Sequence, residues 1–269
     1  MLSQEFNALR RLCAGALYAL VILCLLSPVA LSVTGDLTRF RAGLRNGSGS
    51  RKLKLDQLKA TLESLRGKTG FLDMRFDEAG FLTLGDRTRF TGGSSSAREL
   101  LIATVDGRQA IELEAHNNSP QIAFARLTAG NILTGFQTGA RIEVRQVQLD
   151  FADFAELRGE REAVAAFDLG FAVLHELVHS VLSLSDVVSE TTELGACDEQ
   201  INRMRRELNL PERQGYSARA RSKMHSSNGT TRLAELVFAY ERVKPASAGS
   251  KLFYLRWDAK RVASAAESK

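Results

Sequence analysis

Within Phe171-Ala172-Val173-Leu174-His175-Glu176-Leu177-Val178-His179-Ser180-Val181-Leu182, two histidines stand four positions apart with a glutamate directly after the first. On a helix, positions i and i+4 share a face, so both imidazoles can aim at one divalent ion. Glu176 lies close enough to reach a water on that ion and serve as a general base. The pattern therefore supplies two metal ligands, His175 and His179, and one proton acceptor, Glu176, from about a turn and a half of helix.

The surrounding residues favour that helix. Phe171, Leu174, Val178, Val181 and Leu182 recur at three- and four-residue steps and form a buried stripe, with Val173 and Leu177 as a second apolar row. Ser183, Ser185 and Asp186 break the pattern, which predicts an end near Leu184. With only four histidines in the chain, such a pattern arises by chance on the order of a few times per thousand sequences of this size. Two surface histidines flanking a solvated glutamate are disfavoured by so apolar a setting.

The segment resembles the active-site helix of the zincin metallopeptidases. The metzincin continuation would need glycine and histidine where Leu182 and Ser185 stand, so that branch fits poorly. In the thermolysin-like gluzincins a third ligand, a glutamate, follows twenty residues after the second histidine, and here that count lands on Glu199. Asp198, Glu193 and Glu190 are the main alternatives for the third ligand, and Asp186 is a further rival. The resemblance implies a bound zinc ion and a Tyr or His donor near the oxyanion, for which Tyr216 and His225 are candidates. It covers about thirty residues.

The chain has 269 residues, 44% hydrophobic and 25% charged, so a packed core is feasible. A net charge of +5 is mild and scattered, and does not point to a nucleic-acid partner. The basic run of Arg203, Arg205, Arg206, Arg213, Arg219, Arg221 and Lys223 is a set of solvated faces or a contact for anionic groups such as peptide carboxylates. Residues 1–34 read as a signal peptide or an uncleaved membrane anchor. Arg10 and Arg11 precede an apolar run, Leu12 to Val33, and Ala30-Leu31-Ser32 offers a cleavage site. Either reading puts the body of the protein outside the cytoplasmic membrane, secreted, periplasmic or anchored. Cys197 is the sole cysteine beyond that segment, so no internal disulfide is expected there; it reads as a metal-binding thiol or a small buried residue.

Residues 35–69 read as a linker and an amphipathic helix built on Leu53, Leu55, Leu58, Leu62 and Leu65, with Asn46-Gly47-Ser48-Gly49-Ser50 as a flexible stretch. From residue 70 the period changes to two. A hairpin is predicted around Asp77-Glu78-Ala79-Gly80, with Ser96 capping a short helix over residues 97–103. Strands follow over 109–115, 121–127 and 140–151, the last with an irregularity near Gln146. His116 reads as a loop residue. Residues 152–166 predict a short helix and loop, and Cys197, Ile201, Met204 and Leu208 a second helix. Residues 233–242 and 251–257 predict a C-terminal β-hairpin.

The expected fold is α+β and zincin-like: a mostly antiparallel sheet, the metal helix, a second helix and that hairpin, together spanning 70–262, with a flexible tail over 263–269. In zincins an edge strand of the sheet commonly pairs with the substrate backbone, and 109–115 and 121–127 are the candidates. The function implied is a zinc-dependent peptidase acting on a peptide or protein outside the cytoplasmic membrane. The alternative is a non-catalytic binding module with a structural or degenerate zinc site. The oligomeric state is left open.

Overall fold

The computed structural model describes residues 41–119, 121–134, 141–186, 194–215, 219–226, 229–240 and 251–258. The expected signal or anchor segment and the C-terminal tail lie outside the described residues. Gly43–Asn46, expected to belong to a linker, is instead a buried strand, β1. Asn46 closes the turn after it: its side chain accepts from the Leu53 amide at 2.9 Å and donates to the Leu53 carbonyl at 3.1 Å. The leucine spacing that follows forms helix α1 (Leu55–Thr69), stopped by Gly70 in the left-handed region at φ 77°. Here a Cβ would sit 2.4 Å from the Thr91 carbonyl oxygen, so glycine is required by space as well as by φ.

The expected hairpin is present as β2 (Arg75–Phe76) and β3 (Leu82–Thr83), with Asp77 accepting from the Phe81 amide at 2.8 Å. Helix α2 (Ser95–Asp106) is capped by Ser94 rather than Ser96. The Ser96 hydroxyl is used elsewhere, donating to Glu207 at 2.6 Å. Strands β4 (Ala110–His116), β5 (Ala125–Thr134) and β6 (Arg141–Asp150) complete a sheet of order β1-β4-β6-β5.

This sheet corrects the expectation of a mostly antiparallel one. β1 with β4 and β4 with β6 are parallel; only β5 with β6 is antiparallel. Alternation reports which face is buried and not which way a strand runs. The β1–β4 pairing requires a crossover, and α1 and α2 provide it. The second strand also starts later than expected, at Ala125, because residues 121–124 form a turn. The irregularity lies in β5, between Ala129 and Ile132, opposite Arg145 and Glu143.

The chain continues through α3 (Phe151–Glu156), β7 (Arg158–Gly159), α4 (Arg161–Ala166), α5 (Leu169–Leu182) and α6 (Ala196–Glu207). Residues 161–182 are long and apolar enough to cross a membrane by composition, yet more than half of that stretch is buried inside the fold. β8 (Glu212–Arg213), β9 (Arg219–Ser226), β10 (Gly229–Ala239) and β11 (Phe253–Asp258) follow. The expected hairpin is β10 against β11, and it sits inside an antiparallel sheet that also includes β7, β8 and β9. The architecture is thus α+β with two main sheets. One core packs β4 and β6 against α1, α2, α5 and α6, through Leu65, Leu101, Leu113, Leu149, Leu174 and Ile201. A second packs Phe124, Ala166, Leu236, Phe238, Leu255 and Trp257.

Candidate metal centre

Helix α5 carries the two imidazoles, and its packing fixes where they point. Asp168 caps its N-terminus, accepting from the Phe171 amide at 3.1 Å, and pairs with Lys68 on α1 at 2.7 Å. The Gly170 amide donates to Ser64 Oγ at 2.8 Å, in a contact where a Cβ on residue 170 would lie 2.5 Å from that oxygen. Phe171, Val173, Leu174, Leu177 and Val178 are buried, which leaves one less apolar face for His175, Glu176 and His179. On that face the two Nε2 atoms are 3.0 Å apart.

The helix ends at Ser183, whose φ of 54° and ψ of 28° are left-handed. That residue turns the chain back over the imidazoles. The Leu184 carbonyl then accepts from His179 Nδ1 at 2.6 Å, a bond that leaves Nε2 as the donor atom for a metal. Asp186 arrives with its carboxylate 3.3 Å from His179 Nε2 and 3.5 Å from His175 Nε2. Ligands about 2.0–2.1 Å from a common zinc ion, at tetrahedral angles, stand about 3.3–3.4 Å apart. The observed separations of 3.0, 3.3 and 3.5 Å, the last two to different oxygens of Asp186, are close to those of such a shell, and imidazole with carboxylate is a donor set suited to first-row divalent ions, zinc among them.

Cys197, on the first turn of α6, belongs to the same group of donors, all within 4.8 Å of one another. Its Sγ lies 3.5 Å from Nδ1 and 3.8 Å from Nε2 of His175, nearly equidistant from the two ring nitrogens. The thiol donates to the His175 carbonyl at 3.6 Å. Burial pushes the thiol pKa well up, and the carboxylates of Asp186, Asp198 and Glu176 push it further.

Glu176 is 7% exposed. Burial raises its carboxyl pKa, against the imidazoles of His175 and His179 and the amide of Leu127 on β5, which favour the charged form. The carboxylate of Asp186, hydrogen-bonded to His179, pushes that imidazole up to about 9. Burial pushes Asp186 up, but hydrogen bonds from both imidazoles overcome it and hold the carboxylate far below its ordinary range. Protons and a cation therefore compete for one group of donors.

The carboxylate that joins the imidazoles in the donor group is Asp186 and not Glu199, the residue reached by counting. Glu199 stands in the first turn of α6, half-buried and outside the donor group. Cys197, Ile201 and Met204 turn inward from that helix, and Glu199, two positions after Cys197, is rotated about 200° from it. Asp198 is 1% exposed and accepts from Arg213 at 3.1 Å, so it is engaged away from the imidazoles. Glu190, Glu193 and Tyr216 lie outside the described residues. His225 is on β9 opposite Thr230, and its side chain lies outside the description. His116 ends β4 rather than sitting in a loop, 3.6 Å from Glu114. The signal for Asp186 was its place in the polar break right after the apolar helix.

A cleft of about 830 Å³ opens beside the centre. Its walls come from the start of β5, from α5 and α6, and from Phe167, Arg213, Leu236 and Trp257. At its rim Phe124 is left-handed at φ 64°, held by a hydrogen bond from its amide to Asp153 at 2.9 Å. The Phe124 ring makes edge-on contacts with Phe154, Phe167 and Trp257 at 5.0–5.4 Å. Compared with known proteins, the chain matches no described family, no curated protein and no solved structure.

Proposed function

We propose that the chain is a zinc-dependent peptidase whose metal is held by His175, His179 and Asp186. The observation that carries this reading is the convergence of two Nε2 atoms and one carboxylate at 3.0–3.5 Å, beside a buried glutamate and an open cleft. Zinc bound there would supply a Lewis acid that brings the pKa of a water toward neutrality and polarises a scissile carbonyl. Glu176 takes the proton of the attacking water and returns it to the leaving amine, a role its place one residue after His175 and on the wall of the cleft allows. The Leu127 amide on β5 favours the charged form of that carboxylate, which sets the base beside β5. Among the described residues β5 is one of the two edges of its sheet, the one beside Glu176, so an extended peptide can lie along it next to the base. The N-terminal apolar run after Arg10 and Arg11 supports a location outside the cytoplasmic membrane, secreted or anchored.

Glu176→Gln tests the reading. The variant keeps its zinc, by elemental analysis of the purified protein, and loses about a hundredfold or more in peptide turnover. Cleavage at the parental rate would show that Glu176 is not the base. A second reading, a structural zinc site without catalysis, is favoured by one observation, the presence of Cys197 in the donor group. A thiolate there would close the fourth position.

A further inference from the structure

Outside Glu176 and the donor group, every charged residue lining the cleft is an arginine: Arg126, Arg205 and Arg213. Arg213 is offset by Asp198 at 3.1 Å. Arg205 is different. It is 2% exposed, and its guanidinium donates to the Ala166 carbonyl and to Asn202 Oδ1, both at 2.8 Å. It lies over the rings of Phe171 and Phe238 at 5.1 and 5.4 Å. Among the described residues no carboxylate comes within ion-pair distance of it, nor of Arg126 on β5. A buried cation with carboxylates nearby but none in contact gains from an anion that reaches it directly. Burial and the neighbouring Arg213 draw its pKa down to about 9, outweighing the carboxylates of Asp198, Asp168 and Glu212 at longer range, so an anion in direct contact is favoured electrostatically. The walls beside these arginines are apolar, from Phe124, Phe167, Leu236 and Trp257.

On the peptidase reading above, we propose that the cleft selects peptides bearing a carboxylate, seated by Arg205 and Arg126 next to the apolar wall. A guanidinium matches a carboxylate in charge and in planar geometry. The carboxylate has two possible sources, the peptide C-terminus and an acidic side chain.

The test uses the purified full chain loaded with zinc and one fluorogenic peptide sequence in four forms. These are a free C-terminal acid, the C-terminal amide, and end-blocked peptides with an internal Glu or Gln. The expected result is a kcat/KM about tenfold or more higher for the acid over the amide, or for Glu over Gln, and the pair that differs identifies the source. Binding is read separately from turnover by the emission of Trp257, the only tryptophan, in the Glu176→Gln protein. Arg126→Gln shrinks the acid preference in both readouts, and Arg205→Met abolishes it. If Arg205→Met does not fold, Arg126→Gln alone decides. The binding preference survives removal of zinc by a chelator. Equal handling of acid and amide and of Glu and Gln overturns the proposal, as does a preference unchanged in Arg126→Gln. A preference that vanishes with the metal would assign the carboxylate to the ion. If the zinc-loaded chain cuts none of the peptides but binds the acid form preferentially, the peptidase reading fails and the carboxylate site stands.

Discussion

Replacing Asp186 by alanine removes the carboxylate of the donor group and leaves both imidazoles on α5. Complete zinc shells of four ligands are worth about 10–16 kcal/mol near neutral pH, or about 2.5–4 kcal/mol for each ligand. The structure places Asp186 within 3.5 Å of both Nε2 atoms, so it contributes a full share. Its loss therefore weakens zinc binding about 10²–10³-fold. Competition with a chromogenic chelator measures that affinity directly. Glu199→Ala is the control, because Glu199 stands outside the donor group, and it binds zinc as the parent does. Parental affinity in Asp186→Ala, or a loss of that size in Glu199→Ala, would refute the assignment of the third donor.

Cys197→Ala separates the two functional readings. If the thiol only packs beside His175, the variant retains zinc and peptide turnover. A cobalt-substituted parent then lacks thiolate-to-metal charge transfer in its near-ultraviolet spectrum. Gly170→Ala pushes a methyl group to within 2.5 Å of Ser64 Oγ and forces α1 from α5. Overpacking of this kind costs about 1–3 kcal/mol, which lowers Tm by about 3–10 °C in a domain of this size. Glu207 gives a prediction in pH. Burial raises its carboxyl, but hydrogen bonds from Ser94 and Ser96 outweigh that and bring its pKa down to about 2. A folded pKa below the unfolded value stabilises the fold above about pH 5, and the contribution fades as pH falls toward about 2. The stability gap between the parent and Glu207→Gln, from denaturant melts, therefore narrows over that interval. A gap that widened on acidification would contradict the role of the serine clasp.

What the sequence made legible at the centre was whatever follows from a fixed repeat. Four residues on a helix put His175 and His179 on one face whatever the rest of the chain does. The apolar steps around them marked α5 as a core element, and the leucine spacing marked α1. The carboxylate of the donor group depends instead on one residue outside any repeat. Ser183 adopts a left-handed backbone, and only that turn brings Asp186 back to the imidazoles. Counting twenty residues to Glu199 substituted a spacing from other proteins for that local geometry. Strand direction was illegible for a similar reason, since alternation is the same in parallel and antiparallel partners. The basic run was only half legible. Arg203 is a solvated residue beside Glu207, while Arg205, two positions on, is buried. A half-turn of α6 separates these environments, and neither charge nor composition encodes it.

The place of β1 has a consequence for how the chain must be cut and made. Gly43 pairs with Ala110, so the first strand is synthesised about seventy residues before the one it joins. It stays unmatched on the ribosome until β4 emerges, a non-local pairing of the kind that slows folding. A fragment begun at residue 70, where the change of period invites a boundary, would bare the edge of β4 and its apolar Ile111 and Leu113. That fragment would be expected to aggregate, with the imidazole pair never assembled.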